Sequence, residues 1–462
     1  MFQQFIKSFF FCCTLGLIQT LKANVSLPAV FSDNMVLQQN AEVNFWGWAK
    51  PGEEITITTG WNTVQKVKAT NGQGTWSLLI KTPMGSMTPY SISIKGSNEV
   101  IIKNVLVGEV WICSGQSNME WSANSPITNK DEEIKQANFP NIRFFSVEHR
   151  TALTPQIDLA GQWVECTPSS MQNFSAIGYF FARKIQSSLN VPIGVINSSW
   201  GGTPAECWMP AEAFAGNGLI TEAAQQLTPV PWGPVEIARI YNAMIEPLTR
   251  FKIAGALWYQ GESNVGTAYA YKATMTALIS SWRKKWGNDF PFYFCQIAPY
   301  RYGKPMEGAE LRDAQRRTLD VPQTGMVVTS DIGDTSDIHP RNKLDVGLRL
   351  ANLALNQHYK TNQDVVSGPL YKESRIEGNH ITVFFDNAIG LNFKGPKLTH
   401  FEIAGEDGIY FPAEAKINPD NTIEVKAEQV KKPASLRFAW SNTATPNLFN
   451  GAGLPASCFR SF

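Results

Sequence analysis

The chain has 462 residues, 43% hydrophobic and 11% aromatic, enough for a sizeable interior and for more than one core. Forty Lys and Arg stand against 39 Asp and Glu, so nothing in the charge balance points to nucleic acid or to an acidic membrane surface. Fourteen tryptophans and 12 tyrosines are more informative, since such rings fill β-sheet cores and, where exposed, offer flat faces to sugars.

Residues 1–23 read as an export signal. Lys7 precedes the apolar run "SFFFCCTLGLI", and Ala23 is the small residue at the expected cleavage point. That run is too short for a membrane span, and no later stretch offers about 18 uninterrupted apolar residues. An exported protein, secreted or periplasmic and without a membrane span, is expected. Beyond Cys12 and Cys13, cysteines stand at 113, 166, 207, 295 and 458 with no CxxC pair. Neither a zinc site nor a disulfide framework is indicated, one disulfide stays open, and Cys113 inside an apolar run is expected to be a buried thiol.

Residues 24–105 alternate and turn often. "NFWGWAKPGEEITITTGW", "GTWSLLIKT" and "YSISIKG" are punctuated by Pro51-Gly52 and Asn71-Gly72, a β-sandwich rhythm. From 106 to 358 apolar runs alternate with amphipathic segments. "NIRFFSV", "VPIGVIN", "IAGALWYQ", "FPFYFCQIA" and "GMVVTS" read as buried parallel strands. Between them, "SAIGYFFARKIQSSLN" places Ile177, Phe180, Phe181, Ile185 and Leu189 on one helical face, with Ser175 as its cap. "AYAYKATMTALISSWRKKWG" and "NKLDVGLRLANLALNQHY" follow the same period. The fold class is therefore α/β, a doubly wound parallel sheet flanked by N- and C-terminal β-sandwich-like regions. From 359 to 462 the β rhythm returns in "RIEGNHITVFFDNA" and "PASLRFAWS". Whether this last region folds alone or packs with 24–105 is open.

In such a sheet, reactive groups gather beyond the carboxyl ends of the strands. After "VLVGEVWIC" comes "SGQSNM" with Ser117, and after "VPIGVIN" comes "SSWGGTPAE" with Gly201 and Gly202. After "IAGALWY" comes "QGESN" with Gln260 and Asn264, and after "GMVVTS" comes "DIGDTSDIHP" with Asp331, Asp334, Asp337 and His339. Together these supply a nucleophile, oxyanion donors, a base and an acid, the parts of an acyl-transfer site. Singly, each has a plainer reading. Ser117 serves equally as a helix cap, Asp337 as the cap of a helix beginning near Pro340, and Asp331 and Asp334 as turn formers beside Gly333.

Five ordered blocks, "GEVWICSGQSNMEW", "INSSWGGTPAECW", "IYNAMIEPL", "GALWYQGESN" and "DIGDTSDIHPRNKLDVGLRLA", resemble the sialate O-acetylesterase family, carbohydrate esterases of the SGNH-hydrolase superfamily with its flavodoxin-like sheet. The resemblance runs from about residue 27 to 358. It implies a serine esterase acting on acetylated carbohydrate, with Ser117 as nucleophile, doubling as a cap, and His339 as base. It implies Gly202 and the Ser117 amide in the oxyanion hole, with Gln260, or alternatively Asn264, as a third donor. No metal or organic cofactor is implied. Two features depart from the pattern. The acid is expected three residues before the histidine, where Ser336 stands, so Asp337 takes the role with Asp334 as fallback. The segment of about 30 residues between "GGTPAECW" and "IYNAMIEPL", containing "TPVPWGP", is short, so substrate specificity does not carry over freely. Acetylated sialic acid is the first expected substrate and acetylated xylan or another plant polysaccharide the next. A non-catalytic carbohydrate-binding protein is the competing reading.

Overall fold

A computed structural model describes residues 24–461, so the export signal lies outside the described residues. The molecule is organised on one long strand, β1 (Glu99–Gly115). Its first half pairs antiparallel with Ser86–Lys95 and parallel with Val36–Gln38, within the N-terminal β region. Its second half, the apolar "VLVGEVWIC", is buried throughout and forms the middle of the central sheet. The one carboxylate in that run, Glu109, is taken up by Gln39 Nε2 and the Tyr359 hydroxyl, each at 2.7 Å, which is how a buried acid is tolerated. One core therefore runs through the N-terminal and central regions.

The central sheet adds β2 (Phe139–Ser146), β3 (Trp163–Cys166), β4 (Ile193–Ser199), β5 (Gly255–Tyr259), β6 (Phe292–Cys295) and β7 (Thr324–Val327), in spatial order β7-β6-β5-β1-β4-β2-β3. The first six in that row are parallel, and β3 alone is antiparallel to its neighbour. After β1 the chain lays β2 and β3 on one side, returns to place β4 between β2 and β1, then crosses to β5 on the other side. The carboxyl end of β1 is thus the point where the winding reverses, the place where open α/β sheets leave a crevice.

Short helix α1 (Ser117–Glu120) follows β1, and longer helices α2 (Ala176–Leu189), α3 (Ala268–Trp286), α4 (Glu307–Arg317) and α5 (Lys343–Leu353) connect or follow the strands. The Ser175 hydroxyl accepts the Gly178 amide at 3.1 Å, capping α2 as its sequence implied. Gly347 lets α5 approach α2, for a Cβ there would lie 2.6 Å from that of Phe180. Among the described residues no helix is long and apolar enough to cross a membrane. All five cysteines of the described chain are buried and unpaired, Cys113 among them.

Residues beyond 370 form short strands around a second core that includes Ile381, Val383, Ile403, Leu436 and Phe438. This region is tied to the central one where the Arg312 guanidinium donates to the Ser441 and Asn442 carbonyls and Gln296 donates to the Ser457 hydroxyl.

Candidate active site

β1 ends at Gly115, with φ +125°, against Tyr259, whose carbonyl oxygen would lie 2.2 Å from any Cβ built there. Only glycine permits that approach, and the chain turns at once into α1. Gln116 is the residue before the helix, and its side-chain oxygen accepts the amides of Gly261 and Ser263 at 3.3 and 3.2 Å, tying this turn to the end of β5. Ser117 is the first helical residue. This corrects the expectation that it doubles as the cap, and its hydroxyl is left for other partners. Its N–H, one of the first four of a helix, has no acceptor within the helix.

His339 comes from the loop between β7 and α5, and its Nε2 lies 2.8 Å from Ser117 Oγ. The imidazole stacks on Trp121 at 4.2 Å with 19° between planes, which fixes its orientation. Burial and, next, the neighbouring Lys343 ammonium hold its pKa below the ordinary histidine value, while Asp337 acts in the opposite sense. The ring is therefore neutral, and able to accept a proton, at neutral pH.

The three aspartates of this loop have separate partners. Asp337 Oδ1 accepts the His339 amide at 2.8 Å and lies 3.9 Å from Nδ1 of the same ring, a charge contact rather than a hydrogen bond. Asp334 turns away and accepts both the amide and the hydroxyl of Ser336. Asp331 pairs in bidentate fashion with Arg349 at 2.8 and 2.6 Å, bracing the loop against α5. The helix that Asp337 was offered to cap begins at Lys343 rather than near Pro340, and Asn342 caps it by accepting the Asp345 amide. Asp337 has no capping role there.

Gly201 and Gly202 lie beside the serine. A Cβ on Gly201 would meet Ser117 Cβ at 3.2 Å, and Gly202 has φ +73°. The Gly201 amide donates to Glu120 Oε2 at 2.7 Å, whereas that of Gly202 has no acceptor among the described residues. Gln260 and Asn264 are placed differently. Gln260 is fully buried, donates to the Thr203 carbonyl and to Asn264 Oδ1, and accepts from the Tyr271 hydroxyl. Asn264 accepts the Ala205 amide and donates to the carboxylate of buried Glu206. Both amides are thus engaged in holding the loop that carries Gly202, with no hydrogen left over.

Two further clusters carry the site and were not singled out from the sequence. Asn118 donates to Glu262 Oε1 at 2.7 Å and to the Ile338 carbonyl at 2.9 Å, and accepts from Lys343 Nζ at 2.6 Å. It thereby clamps the residue after Ser117 to the residue before His339. Lys343 is buried beneath the Trp121 and Tyr259 rings. Burial lowers its pKa to about 7 against the pull of Glu262, whose own pKa burial raises. On the open side, His149 Nε2 pairs with Glu120 Oε1 at 3.0 Å, and its ring stacks on Trp200 at 4.3 Å. Burial opposes the charged ring, but Glu120 outweighs it and raises the His149 pKa. Adjacent Glu148, the sequence neighbour of His149, pairs with Arg150 instead.

Comparison with known proteins identifies the family. A family model described as carbohydrate esterase, sialic acid-specific acetylesterase, covers residues 107–356. The sialate O-acetylesterase of Homo sapiens is 30% identical over 93% of this chain and 91% of its own length, and that of Rattus norvegicus 30% over 81% of each. The crystal structure of a carbohydrate acetylesterase from Xanthomonas citri is 34% identical and superposes with a TM-score of 0.87, covering 95% of this chain and 99% of that one. The chain belongs to the sialate O-acetylesterase family and is a carbohydrate O-acetylesterase.

Proposed function

We propose that the enzyme removes O-acetyl groups from carbohydrate, O-acetylated sialic acid first among them, through an acetyl-enzyme on Ser117. The observation that carries this reading is the 2.8 Å contact between His339 Nε2 and Ser117 Oγ at the reversal point of the sheet. Ser117 Oγ attacks the acetyl carbonyl while His339 takes its proton. The tetrahedral oxyanion is met by the amides of Ser117 and Gly202, and His339 returns the proton to the departing sugar oxygen. Water, deprotonated by the same imidazole, then attacks the acetyl group, releasing acetate and restoring the serine. Asp337 orients the ring and stabilises the imidazolium. Its 3.9 Å approach shortens by a small side-chain rotation when the ring becomes charged, since catalytic hydrogen bonds are often long in unliganded sites.

Gln260 and Asn264 act through the loop they hold, keeping the Gly202 amide in place. Serine, glycine and histidine beyond the carboxyl ends of β1, β4 and β7 support the reading as an SGNH hydrolase, with the N-terminal signal directing the enzyme out of the cytoplasm. Acetylated xylan is the alternative substrate. The test is acetate release from a panel of acetylated glycans, together with labelling by a serine-directed phosphonate. Labelling mapped to Ser117 with turnover supports the reading. A folded protein that neither turns over nor labels would be a carbohydrate-binding protein.

A further inference from the structure

Trp232 sits in the short segment "TPVPWGP", where prolines at 229, 231 and 234 restrict the backbone. Tertiary contacts complete the restraint. The Trp232 carbonyl accepts Trp200 Nε1 and the Pro234 carbonyl accepts Cys207 Sγ, each at 3.2 Å. Gly233 comes so close to the glycine loop that a Cβ there would lie 3.0 Å from Thr203 Cγ2. A stiff loop thus holds out an indole that is 63% exposed.

An exposed tryptophan alone needs no explanation. Its neighbours make this one different. A Cβ on Gly202 would meet both Cδ1 and Nε1 of Trp232 at 2.2 Å, and one on Gly201 would meet Ser117 Cβ at 3.2 Å. Indole, glycine pair and nucleophile are successive contacts. The other two indoles at the site are already covered, Trp121 by His339 and Trp200 by His149. Trp232 stacks on no ring among the described residues.

The geometry points to Trp232 as a stacking platform for the pyranose ring that carries the acetyl group. With the oxyanion at the Gly202 amide and the departing oxygen facing His339, both bonded to the same acetyl carbon, the pyranose that this oxygen carries begins next to Gly202, within reach of the indole packed against it. A pyranose has an apolar C–H face and hydroxyls at its rim, so it can cover the indole while its polar groups stay in water. Trp232 therefore sets the preference for sugar esters over small alkyl esters. This rests on the Ser117 reading above.

The test measures kcat/KM for a mono-acetylated xyloside, a mono-acetylated sialoside and ethyl acetate in the wild type, Trp232→Ala and Trp232→Phe. The preference for the better sugar ester over ethyl acetate is expected to fall about 10- to 100-fold in Trp232→Ala, mainly through KM, and to recover in Trp232→Phe. Calorimetry of the same sugar ester should show weaker binding to Ser117→Ala/Trp232→Ala than to Ser117→Ala. The subsite is overturned by a wild type without sugar preference, by a preference unchanged in Trp232→Ala, or by equal losses on both esters. The last outcome would make Trp232 a wedge under Gly202. Turnover surviving in Ser117→Ala would instead refute the nucleophile, whatever Trp232 does, so the two failures are separable.

Discussion

At the carboxyl end of β1, Ser117 and His339 are half-open to solvent and bonded to each other. One strand over, at the end of β5, Gln260 and Asn264 are buried and every polar atom of their side chains has a partner. In sequence the two places look alike, each an apolar run followed by small and amide-bearing residues. The difference is one of unspent bonding capacity. A group that must exchange protons with a substrate needs access and an uncommitted hydroxyl or ring nitrogen. A group that is dry and fully bonded contributes rigidity, because breaking any of its bonds leaves a buried polar atom alone.

The sharpest break of that comparison is Ser117→Ala. Acetyl-ester turnover should fall by about 10³-fold or more with the thermal unfolding midpoint little changed. A folded variant keeping more than about a tenth of wild-type kcat would show that Ser117 is not the nucleophile. Asp337→Asn comes next, with a fall in kcat of up to about 10⁴ from a wrongly held tautomer. Asp334→Asn and Asp331→Asn should be mild in rate, since their carboxylates serve Ser336 and Arg349. If Asp334→Asn carries the large kinetic loss, the two aspartates exchange roles.

Gln260→Ala probes the other side. It strands the Thr203 carbonyl and takes one of two partners from Asn264 Oδ1 and from the Tyr271 hydroxyl, so urea unfolding should report a loss of about 1–3 kcal/mol for the carbonyl left unpaired, accompanied by slower turnover as Gly202 shifts. Unchanged stability with a fall in kcat of about 10²–10³ would make Gln260 a direct oxyanion donor.

The smallest effects are displacements of the pH profile. kcat/KM should rise with pH through the His339 ionisation, which lies below the ordinary histidine value, because only the neutral ring takes the serine proton. Lys343→Met removes a charge that lowers this pKa and should move the limb to higher pH. Asp337→Asn removes one that raises it and should move the residual limb lower. A shift of the wrong sign in either variant would show that the residue does not act on His339 through its charge.

Much of this was legible in the chain. Alternation of period two marked the flanking β regions, and apolar runs between helical stretches marked the central strands, since burial on both faces demands continuous apolar sequence. The residues just past those strands come together because a parallel sheet sets all its carboxyl ends on one edge. In the sequence only adjacency favours Asp337 over Asp334; in the structure Asp334 binds Ser336 while Asp337 binds the His339 amide. Lys343 is not legible from the sequence, because a lysine at the start of a helix reads as solvent-facing, whereas here it is buried.

What the sequence determined by itself, then, was local: element type from periodicity, and chemical capacity from residue type at the strand ends. The tertiary structure decided everything that depends on which distant groups meet. Ser117 meets His339 across 222 residues, Asn118 meets Glu262 across 144 and Lys343 across 225. No local pattern encodes such pairings. They follow from the order in which the strands are laid down, and only burial shows which polar groups have been spent on holding the fold and which are left to react.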